Sequence, residues 1–234
     1  MRLYGHRGAR GERPENTLAG FHHACALGLA GIETDIALTA DLTPVLHHDP
    51  ELPDGRPIRA MALADLPGHI PTLAQALTEI PCPLWLLEVK TFPPTPDRAH
   101  DPALMVRQIL AVLAASPARQ ISLLAFDWAV LRAAAEQAPK LPRICLTNAQ
   151  TAQDRDLWWG TGYGHLSIPA AVAATGAIGW AAHHASLTEP EIIEAHKRGL
   201  DVTAWTVNEH TDFNRLAGVV DGIITDHPSR FIAS

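Results

Sequence analysis

Carboxylates and a lysine recur at matched spacing in two short segments of the chain. Glu33 and Asp35 are two residues apart in the run GIETDIAL, and Glu88 precedes Lys90 by the same spacing in LWLLEVK. Successive side chains of a β-strand point to opposite faces, so residues i and i+2 share a face. The spacing therefore predicts that the two members of each pair point in the same direction.

Three carboxylates that point to one place repel one another unless a cation lies between them. Oxygen-only ligands favour a hard divalent ion such as Mg²⁺ or Ca²⁺. His6 and Arg7, in GHRG, and His48, in HHD, add two imidazoles and a guanidinium. Together these groups can carry out a metal-assisted attack on a phosphate ester. The spacing of the carboxylates alone has a plainer interpretation, because a polar strand end shows the same pattern.

The complete set of motifs resembles the glycerophosphodiester phosphodiesterase family. In chain order the motifs are HRG from His6, PENT from Pro14, ETD from Glu33, HD from His48 and EVK from Glu88, followed by WTVN and GIITDHP near the end. The resemblance extends over about residues 3–231 and is thinnest between 147 and 177. It implies one domain, residues 1–234, with the α/β fold of a single (β/α)₈ TIM barrel.

The resemblance also implies roles for the residues that carry it. A divalent metal ion, Mg²⁺ or Ca²⁺, is held by Glu33, Asp35 and Glu88. His6 and His48 share acid and base catalysis, which suits histidine because its pKa lies near neutral pH. The same two histidines are singled out from the chain's 13 by their positions in HRG and HD.

The remaining expected site residues contact the substrate. Arg7 and Lys90 stabilise the charge that grows on the phosphate, although both can also be ordinary ion-pair partners of the carboxylates. Asn16 matches the asparagine of the family's PENT motif, but it can also serve only as a helix cap. Phe126 and Trp205 lie at predicted strand ends. There an aromatic side chain can either pack in the core or form a pocket wall for the alcohol, and the sequence favours neither.

Three further positions have supporting or undecided roles. Asp49 is expected to orient His48 or a neighbouring loop, and Asp226 to cap or support rather than to ligate a metal. His183 and His184 end a predicted strand at 178–183, so they are candidates for substrate contact at the barrel mouth.

The activity implied by the resemblance is metal-dependent hydrolysis of a glycerophosphodiester to glycerol 3-phosphate and an alcohol. The nucleophile is either the substrate's own neighbouring hydroxyl or water. In this family, an insertion that begins with an Arg-Thr-Thr-like run normally follows the HD motif and helps to shape the substrate pocket. Here a short loop at 51–71 replaces it. A lysophospholipid or another phosphodiester is therefore an alternative substrate.

Two other classes of function remain open. One is a non-catalytic barrel that binds a phosphorylated metabolite, although every matched catalytic position holds a competent residue. The other is a metal-dependent barrel lyase or aldolase, which explains the carboxylates and the lysine but not the paired histidines.

Strands that alternate with helices predict the elements that position these residues. Such alternation implies a parallel sheet, and active sites of (β/α)₈ barrels lie at the carboxyl ends of the strands. The expected strands are 2–5, 31–38, 85–91, 121–126, 143–146, 178–183, 201–207 and 222–225, with a β-like continuation at 43–48. Capping residues that predict helix starts are Asn16 or Thr17, Thr72, Asp101, Asp127 and Thr188. The middle of the chain is ambiguous, with helices expected at 151–159 and 170–175 and a strand fragment at 163–168.

Composition limits the class of partner. The 234 residues carry a net charge of −7, which gives no basic surface for nucleic acid, so a small-molecule phosphodiester is the expected partner. Three widely spaced cysteines in apolar surroundings predict buried free thiols and a reducing compartment. No apolar run is long enough for stable membrane insertion, and a cytoplasmic location is expected. Nothing in the pattern predicts the oligomeric state.

Overall fold

The computed structural model describes residues 1–117 and 119–232, and its centre is a closed barrel of parallel strands. The strands are Arg2–Gly5 (β1), Gly31–Leu38 (β2), Pro44–Leu46 (β3), Leu84–Val89 (β4), Gln120–Ala125 (β5), Arg143–Thr147 (β6), Gly179–His183 (β7), Asp201–Trp205 (β8) and Gly222–Thr225 (β9). They follow the order β1-β9-β8-β7-β6-β5-β4-β2-β3, and an additional β1–β2 pairing closes the ring. All pairings are parallel except that of β3 with β2. The predicted (β/α)₈ barrel is thereby confirmed, with the predicted continuation after β2 forming the antiparallel strand β3.

Helices cover the outside of the barrel. The predicted caps are confirmed, because the side chains of Thr17, Thr72, Asp101 and Asp127 each accept a backbone N–H in the following helical turn. Thr188 is the N-cap of the helix that begins at Glu189, and its backbone N–H donates to Glu191. Thr17, and not Asn16, caps the first helix. The α-helices are Leu18–Ala26 (α1), Leu73–Glu79 (α2), Pro102–Ala115 (α3), Trp128–Gln137 (α4), Ala149–Gln153 (α5), Arg155–Trp158 (α6), Ile168–Ala174 (α7), Glu189–Lys197 (α8) and His210–Leu216 (α9). Short 3₁₀ helices occupy Ile58–Ala60, Leu63–Asp65, Pro96–Arg98, His184–Ser186 and Pro228–Phe231.

Apolar side chains fill two layers. A small cluster made only of strand residues lies between the strands, and a larger one lies between the barrel and its helices. Every residue of β2 is buried, which explains why its sequence is apolar on both faces except at the Glu-Thr-Asp run, 33–35. The strand cluster comprises Tyr4, Leu86, Leu124, Ile144, Leu146, Ala181 and Ile224.

The short loop at 51–71 is an ordered cover on the β2–β3 hairpin. Leu52, Ile58, Met61 and Ile70 of this segment are buried together with Val45 of β3. The prediction of a loop is correct in that the segment has no helix longer than the two short 3₁₀ turns. Its apolar cluster shows that it packs against the barrel despite its many prolines and glycines.

The predicted strand fragment at 163–168 is wrong. The guanidinium of Arg155 donates hydrogen bonds to the carbonyl oxygens of Tyr163 and Leu166, at 3.3 and 2.6 Å. Its charged group also lies 4.8 Å from the ring centre of Trp159. A side chain therefore satisfies backbone groups that a neighbouring strand would otherwise pair. The helix expected at 151–159 is divided into α5 and α6.

All three cysteines are free thiols, as predicted. Cys82 and Cys145 are buried, whereas Cys25 is partly exposed. Among the residues that the structure describes, no helix combines the length and the apolar character needed to cross a bilayer.

Candidate active site

The loop after β1 carries His6 and Arg7 at the carboxyl end of the strand. Gly5 cannot be replaced without movement, because a Cβ atom there would lie 1.7 Å from the carbonyl oxygen of Gly8. Arg7 and Gly8 both have positive φ angles, of 50° and 93°. The left-handed region is costly for arginine, and such residues concentrate at functional sites. In this conformation the backbone N–H of Arg7 donates to Oε2 of Glu33 over 3.0 Å.

A chain of hydrogen bonds holds the ring of His6. Its Nδ1 lies 2.6 Å from Oδ1 of Asp226, the residue that follows β9. Asn208 fixes this carboxylate, because its Nδ2 donates to Asp226 Oδ2 over 2.8 Å and its Oδ1 accepts the Asp226 backbone N–H over 2.9 Å. Burial opposes ionisation of Asp226, but the contact with His6 holds the pKa of the carboxyl below its usual range. An ionised Asp226 places a proton on Nδ1, which leaves Nε2 to exchange protons.

The structure brings the three predicted carboxylates together. Asp35 and Glu88 are register partners on the adjacent strands β2 and β4, and Glu33 shares a strand face with Asp35. One oxygen atom from each side chain lies within 4.8 Å of those from the other two. None of the three residues is more than 8% exposed. Three buried negative groups this close require positive charge nearby.

Lys90 and Arg7 provide part of that positive charge. Lys90 Nζ lies 2.6 Å from Glu88 Oε1 and 3.0 Å from Asp35 Oδ1. Arg7 Nε lies 3.2 Å from Asp35 Oδ2, and its Nη1 donates to both carboxylate oxygens of Glu15, at 3.0 and 3.1 Å. Both cations therefore already face carboxylates of the protein, although Arg7 Nε makes no hydrogen bond of acceptable geometry.

The carboxylates differ in the direction of their pKa shifts. Burial raises the pKa of Glu33 well above its usual value, and the charges of Asp35 and Glu88 raise it further. Burial also raises the pKa of Glu88, despite the opposing charge of Lys90. Burial opposes ionisation of Asp35 as well, but Lys90 and Arg7 outweigh it and hold the pKa of Asp35 far below its usual range. Glu33 and Glu88 thus have too little positive charge nearby to ionise as readily as Asp35 does.

The donor set fits a hard divalent metal ion. All three groups offer carboxylate oxygens, the ligands preferred by Mg²⁺ and Ca²⁺. Asp35 Oδ1 is buried and accepts no hydrogen bond of acceptable geometry, although Lys90 Nζ lies 3.0 Å away. A cation between the carboxylates would supply both the missing charge and a partner for this oxygen.

His48 lines the same cavity as His6, with a carboxylate behind its ring. Its Nδ1 lies 2.7 Å from Oδ1 of Asp49, in the position from which Asp49 was expected to orient it. Burial, followed by the charge of Lys90, lowers the pKa of His48, so the neutral imidazole is favoured. The adjacent His47 instead contacts the backbone carbonyl of Asp49 through Nδ1 and is not among the residues around this cavity.

The cavity encloses about 250 Å³ and has two unlike sides. Phe126 and Trp205 stand edge to face, with ring centres 5.4 Å apart, and form an apolar wall above the strand cluster. This position favours the pocket-wall interpretation of both residues. The lining comprises His6, Arg7, Arg10, Glu33, His48, Glu88, Lys90, Leu124, Phe126, Leu146, Trp205, Thr206, Ile224 and Asp226.

Asn16 lies behind the site and not within its lining. Its Nδ2 donates to Asp35 Oδ2 over 2.9 Å, and its Oδ1 accepts the hydroxyl of Thr34 over 2.7 Å. The residue is 3% exposed and has a positive φ of 52°. Both polar atoms of the amide therefore bond to residues of β2.

His183 and His184 lie beside the cavity without lining it. His183 packs edge to face against Trp205, with ring centres 5.3 Å apart. His184 Nδ1 lies 3.3 Å from Oδ1 of Asp212 in α9. These contacts support the aromatic wall from behind.

Sequence patterns assign no separate role to Asn208, Arg10 or Glu15, although Asn208 and Glu15 lie within the WTVN and PENT motifs, and they assign Asp226 only a supporting role. Asp226 directly follows β9, and Asn208 is three residues beyond β8. Their places after parallel strands were the available signal, because those ends meet at one rim.

The barrel brings a buried acidic cluster and two histidines to one mouth, the place where (β/α)₈ enzymes carry their active sites. Comparison with known proteins agrees. The model of the "Glycerophosphoryl diester phosphodiesterase family" matches residues 6–230. The chain belongs to this family.

Several relatives match along nearly the whole chain. A crystal structure of a Silicibacter pomeroyi DSS-3 protein, provisionally named a glycerophosphoryl diester phosphodiesterase, is 33% identical, with a TM-score of 0.84 over 98% of this chain and 91% of that chain. A Bacillus subtilis (strain 168) protein, provisionally named a glycerophosphodiester phosphodiesterase, is 27% identical over 99% of this chain and 97% of its own length. A phosphodiesterase of Oleispira antarctica, solved with its product sn-glycerol-3-phosphate, is 22% identical, with a TM-score of 0.79 over 98% and 94% of the two chains. This last similarity shows the fold.

Proposed function

We propose that the protein hydrolyses glycerophosphodiesters to glycerol 3-phosphate and an alcohol in a reaction that depends on a divalent ion, Mg²⁺ or Ca²⁺. The observation that carries this proposal is the close cluster of Glu33, Asp35 and Glu88, of which Glu33 and Glu88 line one cavity together with the two imidazoles. The bound ion would be held by these three carboxylates and would supply positive charge to the phosphoryl oxygens.

His6 exchanges a proton through Nε2. Its Nδ1 is committed to Asp226, and Asn208 prevents that carboxylate from turning away. Nε2 lies 3.9 Å from Oε2 of Glu33, so it faces the acidic cluster where a phosphate would be held. This arrangement orients one imidazole for transfer to or from an oxygen of the ester.

His48 is the second proton-transfer group. The neutral ring favoured by its lowered pKa can accept a proton through Nε2, because Nδ1 faces Asp49. One histidine takes the proton of the nucleophile and the other gives a proton to the leaving alcohol. The same pair serves whether the nucleophile is a neighbouring hydroxyl of the substrate or water.

Lys90 and Arg7 would place positive charge beside the phosphate. The charges of Asp35 and Glu88 raise the pKa of Lys90 despite its burial, so it remains a fixed cation. Lys90 and Arg7 both line the cavity and can stabilise charge on the phosphate. We assign Asn16 to the support of Asp35 instead of the predicted substrate contact, since its amide is used within the protein.

The rest of the substrate would occupy the apolar side. Phe126 and Trp205 offer an apolar wall for the alcohol in the same cavity as the carboxylates Glu33 and Glu88. The glycerol 3-phosphate product solved in the Oleispira antarctica phosphodiesterase supports the same product class here. We also propose a cytoplasmic location, which is supported by the three free thiols.

The direct test is release of glycerol 3-phosphate from glycerophosphocholine by the purified protein in the presence of Mg²⁺ or Ca²⁺. His6→Ala and His48→Ala should each lower kcat by about 100-fold or more, because each removes a proton-transfer group. His47→Ala is the matched control, since this neighbouring histidine lies outside the cavity lining, and it should retain activity.

Two outcomes would contradict the proposal. Full activity in both the His6→Ala and His48→Ala variants would remove the imidazoles from the reaction. Binding of diesters without turnover, across a panel of substrates and metals, would instead support a barrel that only binds a phosphorylated metabolite.

A further inference from the structure

Arg10 reaches the catalytic cavity from the loop after β1. Its Nε lies 3.4 Å from Asp226 Oδ1 and 3.7 Å from Glu15 Oε2. Both carboxylates have closer partners, since His6 Nδ1 lies 2.6 Å from the same oxygen of Asp226 and Arg7 Nη1 donates to Glu15 at 3.0 and 3.1 Å. Arg10 is thus a secondary partner of two carboxylates, each of which has a closer partner in His6 or Arg7.

The two terminal nitrogens of the Arg10 guanidinium, Nη1 and Nη2, are left for a ligand. Across residues 1–117 and 119–232, neither of its terminal nitrogens donates a hydrogen bond. The side chain is 38% exposed and lines the cavity. A guanidinium offers paired N–H donors in a planar fork that matches a carboxylate or a phosphate.

The other cations of the cavity are more fully committed. Lys90 Nζ lies within 3.0 Å of both Asp35 and Glu88, and Arg7 donates to Glu15 through Nη1 while its buried Nε lies 3.2 Å from Asp35 Oδ2. They therefore face the phosphate from the acidic side. Arg10 instead offers donors that no nearby acid has taken.

The contacts of Arg10 place it beside β9. Its strand, β1, pairs with β2, which carries Glu33, on one side and with β9 on the other, and β9 pairs with β8 and its terminal Trp205. Arg10 lies next to Asp226 of this second side. A diester whose phosphate lies at the acidic cluster would extend its alcohol towards the wall that Arg10 borders.

We propose that Arg10 is a specificity-determining residue that binds an anionic group on the leaving alcohol of the diester. This inference rests on the proposed hydrolysis and names the class of alcohol that the site prefers. An alcohol with a carboxylate or a phosphate gains a charge-assisted contact that a neutral or cationic alcohol lacks.

Glycerophosphoserine and glycerophosphoethanolamine provide the test, because they differ by one carboxylate on the alcohol. The ratio of their kcat/KM values, serine over ethanolamine, is measured for the wild type, Arg10→Gln, Arg10→Lys and Arg13→Gln. We expect the ratio to fall about tenfold in Arg10→Gln, mainly through the KM of glycerophosphoserine, and to recover in part in Arg10→Lys. Arg13→Gln should keep the wild-type ratio, since Arg13 is exposed and outside the cavity lining.

The outcomes separate this inference from the proposed function. Equal losses on both diesters in Arg10→Gln would overturn it, because Arg10 would then act through Asp226 and His6 and not on the alcohol. An unchanged ratio in Arg10→Gln would overturn it as well. A wild-type protein inactive on both diesters, with any divalent ion, would instead overturn the proposed function on which the inference rests.

Discussion

His6 and Asp226 are 220 residues apart in the chain, yet Nδ1 of the histidine and Oδ1 of the aspartate lie 2.6 Å apart at the barrel mouth. The pairing of β1 with β9 produces this closeness, since Gly5 and Thr225 are register partners and the two side chains belong to the residues that follow. The first and last strands of the barrel thus build one acid–imidazole pair.

Asp226→Asn should lower kcat for glycerophosphocholine by about 100-fold with little change in KM. An amide can hold the ring but cannot stabilise a proton on it, so the tautomer and charge of His6 are no longer fixed. Asn208→Ala should cost less, about tenfold, because Asp226 keeps its contact with the ring. Steady-state kinetics with saturating divalent ion provides the measurement.

Asp221→Asn is the matched control for that variant. Asp221 also pairs with a histidine, since its Oδ2 lies 3.0 Å from His196 Nε2, but this pair lies on the surface away from the cavity. Activity should be retained in Asp221→Asn. Equal losses in Asp221→Asn and Asp226→Asn would mean that the effect comes from folding and not from the orientation of His6.

Glu33→Gln should separate metal binding from stability. The metal-free variant should be at least as stable as the wild type, because burial already disfavours the ionised form of Glu33. Its thermal stabilisation by Ca²⁺ or Mg²⁺ should require at least tenfold more metal, since one anionic ligand is lost. Differential scanning calorimetry across a metal titration measures both effects.

The exposed Glu136 of α4 supplies the control, and Glu136→Gln should leave the metal titration unchanged. A titration of Glu33→Gln that matches the wild type would show that Glu33 is not a ligand.

Lys90→Met should destabilise the metal-free protein by about 3 kcal/mol, because it leaves Asp35 and Glu88 without their shared buried cation. Saturating divalent ion should recover part of this loss by supplying charge to the same carboxylates. Urea denaturation with and without Ca²⁺ measures the difference. Lys140→Met, at an exposed position, should change stability by less than about 0.5 kcal/mol. No metal-dependent recovery in Lys90→Met would argue against a shared ion site.

Gly5→Ala should destabilise the protein by about 3 kcal/mol and reduce activity. Its Cβ would lie 1.7 Å from the backbone carbonyl oxygen of Gly8, so the loop that carries His6 must move. Gly68→Ala is the control, since a Cβ there meets nothing within 4 Å. Thermal denaturation and kcat are measured together. Wild-type values for both in Gly5→Ala would show that the close approach of these loop residues is unnecessary.

The acidic cluster shows how far sequence patterns reach. Side-chain alternation predicts that Glu33 and Asp35 share a face, and the structure agrees. Alternation says nothing about the register of β2 against β4, which pairs Asp35 with Glu88. The resemblance to a family, and not the spacing, therefore supplied the third carboxylate.

The partners of individual side chains were harder to predict than the strands and helices. Arg155 satisfies the carbonyls of a segment that looked like a strand, and no local pattern identifies the partner of such an arginine. Asparagine is a residue type common at helix N-caps, but the positive φ of Asn16 directs its amide to Asp35. Arg10 and Asn208 both contact Asp226 from the ends of other strands, and no local pattern identifies this shared partner.

The most direct test of the whole account is anomalous diffraction from crystals soaked in Mn²⁺, a hard divalent ion that can replace Mg²⁺ or Ca²⁺. The account predicts one strong peak within about 2.0–2.6 Å of an oxygen atom from each of Glu33, Asp35 and Glu88. A peak elsewhere, or none at a soak concentration that activates the enzyme, would contradict it.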